Sequence, residues 1–373
     1  MSSVEKSYIH NLRLVNFRNY LNLELDTSSK SVVLLGKNGV GKTNILEAIS
    51  LLSKGTGIRG VNTESMQNSA SNAPWSVSYQ IHTQNGIYPI AISRNNNKRT
   101  ILISNKNQSY ITLHKITNVI WLIPQLDHIF LKSQSERLRF FDRIAHIFDT
   151  KYATYIIKYN KAKQERSKLL HNNSIDNFWL SSLESIIADN GMNIARIRFN
   201  VLQILQNILS QNSKSHAFFK AIIKIQSQVS DLLNQENSVE LYKEHLKNNR
   251  TKDSLSNLVN FGVHNDNFQI FHLEKNLIAN HCSTGEQKIL LLSLILSSVL
   301  AKQNIEEYPI LLLDDVMSHL DAHHQEKLLE TIRNIKCQVW LTDIDLTQQN
   351  FTKYREHFKF FHVANNTITH NNI

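Results

Sequence analysis

The sequence predicts an α/β protein with a helical insertion, and three observations lead to that fold class. An apolar run, Val32–Leu35, leads into a glycine-rich loop and then into a helical pattern over residues 45–52. A second apolar run, Ile310–Leu313, ends in two adjacent carboxylates. Residues 152–260 contain one glycine, no proline and apolar side chains at helical spacing, which indicates a helical region. The predicted organisation is a split α/β domain at residues 1–125 and 261–373, and a helical domain at 126–260.

Short alternating segments predict an antiparallel β subdomain inside the α/β part. Leu21–Leu25 alternates strictly, and alternation returns between residues 75 and 103, after a Gly/Ser/Asn-rich loop. We expect antiparallel hairpins there, with an Asn-rich turn at Asn95–Asn97. Val119–Ile123 is fully apolar and is followed by Pro124, which indicates a buried strand that ends at the proline.

The glycine-rich loop has the spacing GxxxxGK[ST], the pattern of a phosphate-binding loop between a strand and a helix. Inward-pointing backbone N–H groups bind phosphate oxygens, and glycines let the chain approach that closely. We expect Lys42 to reach the β- and γ-phosphates of ATP and the Thr43 hydroxyl to bind Mg²⁺. The predicted nucleotide-binding residues of the loop are Gly36, Lys37, Asn38, Gly39, Val40, Gly41, Lys42, Thr43 and Asn44.

The two carboxylates after Ile310–Leu313 supply the second half of the predicted site. A buried parallel strand delivers its carboxyl end to the crevice where the phosphates bind. We expect Asp314 to hold Mg²⁺, and Asp315 to orient or deprotonate the attacking water. A capped turn after the strand is the alternative for this motif taken alone. The upstream phosphate-binding loop favours the catalytic interpretation.

A third motif, Ser283–Lys288, opens the predicted helix 289–301. A serine and a glycine at a helix N-terminus can bind an anion, and Ser283 with Glu286 is equally a capping box. The order of the motifs decides between these readings: the loop, this helix start, the carboxylate strand and Ser318–Asp321 follow the order of ABC-type ATPases. In those proteins, the signature of one subunit closes over the γ-phosphate held by the other subunit.

Six segments spread over the chain match the pattern of one protein family: 16–20, 36–44 with Glu47-Ala48, 135–143, 262–266, 283–288 and 312–321. On these residues the chain resembles the RecF family, which belongs to the SMC/Rad50-like branch of the ABC ATPases. The Ser-Glu-Arg to Phe-Asp-Arg segment and the Gly-x-His-x-Asp segment are more diagnostic than the ATPase motifs, and the insertion is too short for the long coiled coil of SMC or Rad50.

The resemblance implies a mechanical switch in recombinational DNA repair and replication restart. ATP binding would dimerise the protein on double-stranded DNA or on single-strand/double-strand junctions, and slow hydrolysis would release it. The implied role, in the response to DNA damage including the SOS response, is to promote RecA loading with RecO and RecR. Each ATP would lie between Lys42, Thr43 and Asp314 of one subunit and Ser283 and Gly285 of the other. Arg18 and Asn19 join the implied nucleotide site through the first segment.

Several positions depart from the family pattern. Leu138 separates two arginines that are usually adjacent, and Asn265 stands where an arginine is usual. Asp315 stands where most ABC proteins have glutamate, and the shorter side chain has less reach. Thr342-Asp343 follows the last core strand in place of a switch histidine, which agrees with the resemblance.

Two further sets of residues are weaker candidates. Gln125 follows a predicted core strand and could sense Mg²⁺ and the γ-phosphate, and a plain turn residue is the alternative. A basic stretch on a predicted helix could contact DNA phosphates, and a solvated helix face is the alternative. The residues of that stretch are Lys158, Lys161, Lys163, Arg166 and Lys168.

The charge of the chain indicates what kind of partner it binds, and its composition indicates the cellular compartment in which it works. The formal net charge is +10, and residues 1–260 carry 32 basic against 18 acidic side chains, which favours a polyanion partner. Two distant cysteines, no apolar leader and no apolar run long enough to span a membrane lead us to expect a cytoplasmic protein without a membrane partner.

Three other function classes are rivals to this interpretation, and the residues count against the first. A transporter ATPase subunit should show a switch histidine and the sequence Leu-Ser-Gly-Gly-Gln, and neither is present. A defence ATPase of the overcoming-lysogenisation type should carry an additional acidic nuclease domain. A divergent SMC-like ATPase that no longer binds DNA would have the same motifs, so the sequence alone leaves it in place.

Overall fold

The computed structural model describes most of the chain as two compact units. The first comprises the described residues of 1–127, 215–219 and 291–373, and the second those of 128–214 and 220–290. The domain boundaries expected at residues 125 and 260 stay predictions. The described residues are 7–53, 55, 57–60, 63–71, 73–95, 98–171, 176–213, 218, 220–343, 352–364 and 366–370.

Strands are present at the predicted positions Leu21–Leu25, Val32–Leu35, Val119–Ile123 and Ile310–Leu313, and between residues 75 and 103. The strands are β1 Tyr8–Phe17, β2 Tyr20–Asp26, β3 Ser31–Leu35, β4 Ser76–Thr83, β5 Gly86–Asn95, β6 Lys98–Ile103, β7 Lys106–Asn107, β8 Val119–Leu122, β9 Ala221–Gln226, β10 Asn267–His272, β11 Leu277–Ile278, β12 Ile310–Leu313, β13 Val339–Asp343, β14 Phe358–Ala364 and β15 Thr367–His370. The helices are α1 Lys42–Ser50, α2 Tyr110–Ile116, α3 Gln134–Phe148, α4 Tyr152–His171, α5 Asn177–Asn212, α6 Ser238–Asn248, α7 Arg250–Ser256, α8 Thr284–Gln303 and α9 Ala322–Asn334.

The first unit contains the predicted antiparallel subdomain. Its strands pair in the order β2-β1-β4-β5-β6-β7, and all these pairs are antiparallel. Residues on β4 alternate strictly between buried and partly exposed, as expected for a sheet with one covered face. Asn96 and Asn97 of the predicted turn lie outside the described residues.

The first unit also contains a mostly parallel sheet, and this sheet builds the candidate site. Its order is β15-β14-β3-β13-β12-β8, with β15 as the antiparallel edge strand. Strands β12 and β13 are buried along their whole length, which explains their near-continuous apolar runs. Because β3, β13 and β12 are parallel neighbours, their carboxyl ends lie at one edge of the sheet. The glycine-rich loop and Asp314 follow two of these ends.

The second unit is mostly helical, and it contains a strand that the helical pattern did not predict. The prediction of a helical region over residues 152–260 is wrong at β9, which pairs antiparallel with β10. Ile222, Ile223 and Ile225 are β-branched and suit a pleated, half-buried surface. The partner strand lies some forty residues further along the chain, so local periodicity carries no sign of the pairing.

Helix α8 holds the apolar run noted in the sequence. Among the described residues, it is the helix long and apolar enough to cross a membrane, and most of it is buried inside the structure. Leu290, Leu292 and Leu296 are fully buried. A helix that is apolar on nearly all sides belongs in a protein core or a membrane, and here protein surrounds it.

Candidate nucleotide-binding site

The glycine-rich loop between β3 and α1 has a backbone that only glycine adopts easily. Gly39 and Gly41 have φ angles of 83° and 111°, in the left-handed region that disfavours side chains. A Cβ atom on Gly41 would lie 2.3 Å from Asn19 Nδ2 and 2.7 Å from the Tyr20 hydroxyl. At Gly41 the loop is therefore packed tightly against Asn19 and Tyr20. At Gly39 there is open space beside the backbone.

Lys42 lies folded back onto this loop. Its ammonium group donates to the carbonyl of Gly36 and, at 2.9 Å, to that of Lys37. Burial lowers the pKa of Lys42, and the negative charges of Asp314, Asp315 and Asp343 act in the opposite direction. A buried cation within reach of the loop backbone suits a polyphosphate, whose oxygens can replace the two carbonyls.

Thr43, Asp314 and Thr342 form a continuous hydrogen-bonded group across the strand ends. Thr43 Oγ1 donates to Asp314 at 3.0 and 3.1 Å, and Thr342 Oγ1 donates to Asp314 Oδ1 at 2.7 Å. Burial raises the pKa of Asp314, while the hydrogen bonds from Thr342 and Thr43 lower it. A hydroxyl and a carboxylate at this separation are oxygen donors of the kind Mg²⁺ prefers. The donor set fits the predicted metal.

Asp315 is held in an unusual backbone conformation beside this group. Its φ angle is 48°, a left-handed value that aspartate and asparagine tolerate better than most residues. Its backbone N–H donates to Thr342 Oγ1 at 2.9 Å. Non-glycine residues with such angles concentrate at functional sites, where the surroundings enforce the strain.

A pocket of about 330 Å³ unites most of the predicted residues of the first unit. Gln125 contributes to it, as expected for a residue close to the phosphates, and Arg59 lines it although the sequence analysis did not single it out. A signal was available, because Arg59 lies in the glycine-flanked segment Gly57–Gly60 close behind α1. The lining residues are Asn38, Gly39, Gly41, Lys42, Thr43, Asn44, Arg59, Pro124, Gln125, Asp314, Asp315 and Thr342.

The resemblance implied that Arg18 and Asn19 bind the nucleotide. In the structure they do not line the pocket, and they contact α1 and the glycine-rich loop instead. Arg18 makes a bidentate ion pair with the buried Glu47 of α1, at 2.6 and 2.8 Å, and Arg59 approaches the same carboxylate at 3.4 Å. Asn19 Nδ2 donates to the carbonyl of Val40 at 3.2 Å. Both residues therefore position the loop and its helix in this structure.

Ser283 and Gly285 belong to the second unit and are also absent from the pocket lining. The Ser283 hydroxyl donates to Glu286 Oε2 at 2.9 Å, and the Ser283 N–H donates to the same oxygen at 2.8 Å. The hydrogen bond from Lys275, with those from Ser283, lowers the pKa of Glu286 to about 2. The capping box is thus formed, and Ser283 remains exposed at the start of α8.

The basic stretch on α4 divides between surface and interior. Lys158, Lys161 and Lys168 are exposed, and Lys163 is partly buried, which lowers its pKa. Arg166 is completely buried and pairs with Glu184 at 3.0 Å and Asp253 at 2.6 Å. The prediction that Arg166 contacts DNA is therefore wrong, because its guanidinium is a core ion pair without access to solvent.

The two most diagnostic segments meet at one arginine that the sequence analysis did not identify. Arg198 of α5 pairs with Asp142 at 2.8 Å and with Asp266 at 2.7 Å, and it donates to the Val263 carbonyl at 2.6 Å. Asp142 comes from the Phe-Asp-Arg segment and Asp266 from the Gly-x-His-x-Asp segment. Burial raises the pKa of Asp266, and the charge of Arg198 opposes this. The diagnostic residues thus form an internal ion-pair cluster.

His264 of the same segment is partly buried, and its hydrogen bonds hold it as a neutral ring. Its Nε2 lies 2.7 Å from the Val259 carbonyl, which can only accept, so Nε2 carries the proton and Nδ1 accepts from the Tyr159 hydroxyl at 2.7 Å. Burial, together with the nearby charge of Lys163, lowers the pKa of His264 to about 4 from its ordinary 6.5. Protonation would break the bond from Tyr159.

We expect this histidine to make the protein less stable in mild acid. Because the folded state binds the proton more weakly than the unfolded state, stability is complete above pH 6.5 and is lost as the pH falls towards about 4. The loss should reach roughly 2–3 kcal/mol. Thermal unfolding at pH 7.5, 6 and 5 measures it, and His264→Gln should flatten the curve in this range. An equally steep curve in that variant would show that other groups govern the acid response.

Comparison with known proteins places these features in a family. A sequence profile described as the RecF/RecN/SMC N terminal domain matches residues 8–369. The chain is 37% identical over 344 residues to a DNA replication and repair protein RecF of Rickettsia bellii, covering 91% of this chain and 95% of that protein. The protein of the same name from Rickettsia prowazekii is 36% identical over 352 residues, with the same two coverages.

Solved structures give the corresponding result for the fold. A recombination mediator protein RecF in complex with ATP, from the RecFOR pathway, superposes with a TM-score of 0.85 at 22% identity, over 99% of each chain. The Smc head domain of Pyrococcus furiosus gives a TM-score of 0.53 at 14% identity, over 97% of this chain and 95% of that one. These likenesses confirm the predicted α/β fold of an ABC/SMC-type ATPase head.

Proposed function

The chain belongs to the RecF family, and from this premise we propose that it binds ATP and DNA as a switch in recombinational repair. Its general role is in DNA replication and repair, as the names of its curated relatives state. The finer proposal is ATP-dependent dimerisation on double-stranded DNA or gapped junctions, which promotes RecA loading together with RecO and RecR.

The observation that carries this proposal is the group formed by the glycine-rich loop, Lys42, Thr43 and Asp314. A cation, a hydroxyl and a carboxylate converge at one end of a parallel sheet, within one pocket. That combination suits a triphosphate with its divalent metal better than any uncharged ligand. We assign the metal to Thr43 and Asp314, with Gln125 close by.

The chain's own residues would divide the work of binding and hydrolysis. Bound ATP with Mg²⁺ would supply the energy of closure and a phosphate that can be transferred to water. Lys42 and the loop N–H groups bind and orient the phosphates, and Asp315 orients or deprotonates the attacking water. Aspartate is shorter than the glutamate that most ABC proteins have at the position of Asp315. Because its carboxylate has less reach towards the attacking water, we expect slow hydrolysis, as suits a protein that uses ATP as a switch.

A second subunit would complete the site. Ser283 and Gly285 are solvent-accessible at the start of α8, and the first turn of a helix favours anions. We propose that they close over the γ-phosphate bound by the partner subunit. The capping box then has a second use, because it keeps the Ser283 hydroxyl and the helix start fixed before the partner arrives. DNA would be contacted by exposed lysines such as Lys158, Lys161 and Lys168.

Asp315→Asn tests the proposed switch on DNA. Asparagine tolerates the left-handed backbone of Asp315, so the substitution removes the charge and keeps the geometry. We expect ATP-dependent binding to a gapped duplex to persist, with hydrolysis slowed about 100-fold or more, as is typical when a general base is lost. Filter binding and phosphate release measure the two quantities.

Two results would contradict the proposal. Unchanged hydrolysis in Asp315→Asn would remove the role of Asp315. Absence of DNA binding by the wild-type protein with ATP, over a range of low salt concentrations, would favour a divergent ATPase without a repair role.

A further inference from the structure

The last turn of α4, the first turn of α5 and helix α7 lie together at one end of the second unit. Arg166 pairs with Glu184, and Arg198 donates to the Tyr152 hydroxyl at 2.9 Å, so α4 and α5 run antiparallel. Arg250 at the start of α7 donates to Asn177 Oδ1 at 3.2 Å. The last turn of α4, the first turn of α5 and α7 therefore lie together, and we call this surface the hairpin end.

Two adjacent aromatic side chains are exposed at the hairpin end. Phe178 is 88% exposed and Trp179 is 50% exposed, both in the first turn of α5. The other tryptophans, Trp75, Trp121 and Trp340, are buried in the first unit. Exposed single apolar residues are ordinary, but a neighbouring phenylalanine and tryptophan leave a large aromatic area in water.

Exposed cationic side chains belong to the same three helix ends. Lys168 of α4 and Lys252 of α7 are exposed, and so is His171. The buried carboxylates Glu184 and Asp253 are already paired with arginines. Asp176 is exposed, and its carboxylate accepts from the backbone N–H groups of Phe178 and Trp179 at 2.9 and 3.0 Å. The lysines are thus available to an anionic partner.

We propose that the hairpin end binds unpaired nucleotides, with Trp179 and Phe178 stacking on bases and Lys168 and Lys252 contacting phosphates. Aromatic rings beside cationic side chains are the physical requirement for binding single strands without sequence preference. Bases of a duplex are stacked on each other and offer no free face. The inference deepens the proposed function and rests on it, because it gives the protein a separate contact for the single-stranded side of a gap.

Intrinsic tryptophan fluorescence tests this directly, because Trp179 is the exposed tryptophan. Adding an oligo(dT) strand of about 16 nucleotides to the full chain with ATP should quench the Trp179 emission by stacking. A blunt duplex of equal charge should bind and leave the emission nearly unchanged. Trp179→Phe should lose the quenching and keep the affinity for the strand, since phenylalanine also stacks.

Affinity measurements with removed rings complete the experiment. Phe178→Ala with Trp179→Ala should bind labelled oligo(dT) about ten-fold or more weakly, the loss expected for one or two stacked bases. Phe199→Ala is the matched control, since Phe199 is a partly exposed aromatic on the same helix, about 30 Å away by helical rise. Circular dichroism and thermal unfolding should be unchanged in all variants.

The outcomes separate this inference from the proposed function. If a gapped duplex binds with ATP but oligo(dT) causes no quenching and the double variant binds it like wild type, the inference is overturned, and the aromatic pair belongs to a protein partner. If the gapped duplex does not bind at all, the proposed function itself fails. Quenching by oligo(dT) with loss in the double variant supports both.

Discussion

Lys42→Ala is expected to abolish ATP binding, and with it every ATP-dependent step. The Lys42 ammonium group is buried, lies against the loop carbonyls and faces Asp314 and Asp315. Among the described residues that line the pocket, Arg59 is the other cation, and its guanidinium lies 3.4 Å from the carboxylate of Glu47. It therefore does not replace Lys42 at the loop carbonyls. Removing a charge-assisted contact to a phosphate in a partly dry site should cost about 2–5 kcal/mol of binding. Titration with a fluorescent ATP analogue measures the loss.

Lys30→Ala is the matched control for this experiment. Lys30 is an exposed lysine of the first unit, in the turn before β3, at the opposite end of the strand from the loop. Its removal should leave ATP affinity unchanged. Normal ATP binding by Lys42→Ala, with the protein folded, would contradict the assignment of the phosphate-binding loop.

Arg198→Ala is expected to destabilise the second unit by roughly 3–5 kcal/mol, the cost of leaving buried charges unpaired. Arg198 is almost fully buried and satisfies Asp142 and Asp266 together, so its loss would leave two carboxylates without their cation. Tyr152 would lose a partner as well. Urea unfolding measures the change, and the ATP site in the first unit should keep its affinity where the protein is still folded.

Arg196→Ala provides the comparison for Arg198→Ala. Arg196 lies two residues earlier on α5, is exposed, and donates to Ser238 Oγ at 3.1 Å. Its removal should cost less than about 1 kcal/mol, as is usual for surface substitutions. Equal effects of the two substitutions would show that the buried cluster does not hold the unit together.

The parts of the site that are local in sequence could be predicted before the structure was known. The loop glycines, Lys42 and Thr43 are fixed by a strand, a turn and a helix that follow one another. Asp314 could be added because the carboxyl ends of parallel strands share one edge. The strands predicted around these residues were also confirmed. Each of them is a short apolar run, and such a run indicates a buried strand without information from distant parts of the chain.

Contacts that depend on distant segments could not be read from the sequence. The pairing of β9 with β10 and the meeting of Asp142, Arg198 and Asp266 join stretches far apart in the chain. Arg166 is a different case, because a local signal existed. It lies four residues after the buried Ala162 and four residues before the buried Leu170, and that spacing places it on the covered face of α4.

Sedimentation of the pure protein with ATP, Mg²⁺ and a gapped duplex tests the central claim most directly. Wild type should form a dimer on the DNA, whereas Ser283→Arg, which places a bulky cation where the partner's nucleotide would approach, should remain monomeric. His281→Arg is the matched control, because it adds the same side chain at an exposed residue two positions earlier. This variant should dimerise like wild type. A Ser283→Arg protein that dimerises normally on DNA with ATP, or a wild-type protein that stays monomeric under the same conditions, would contradict the account.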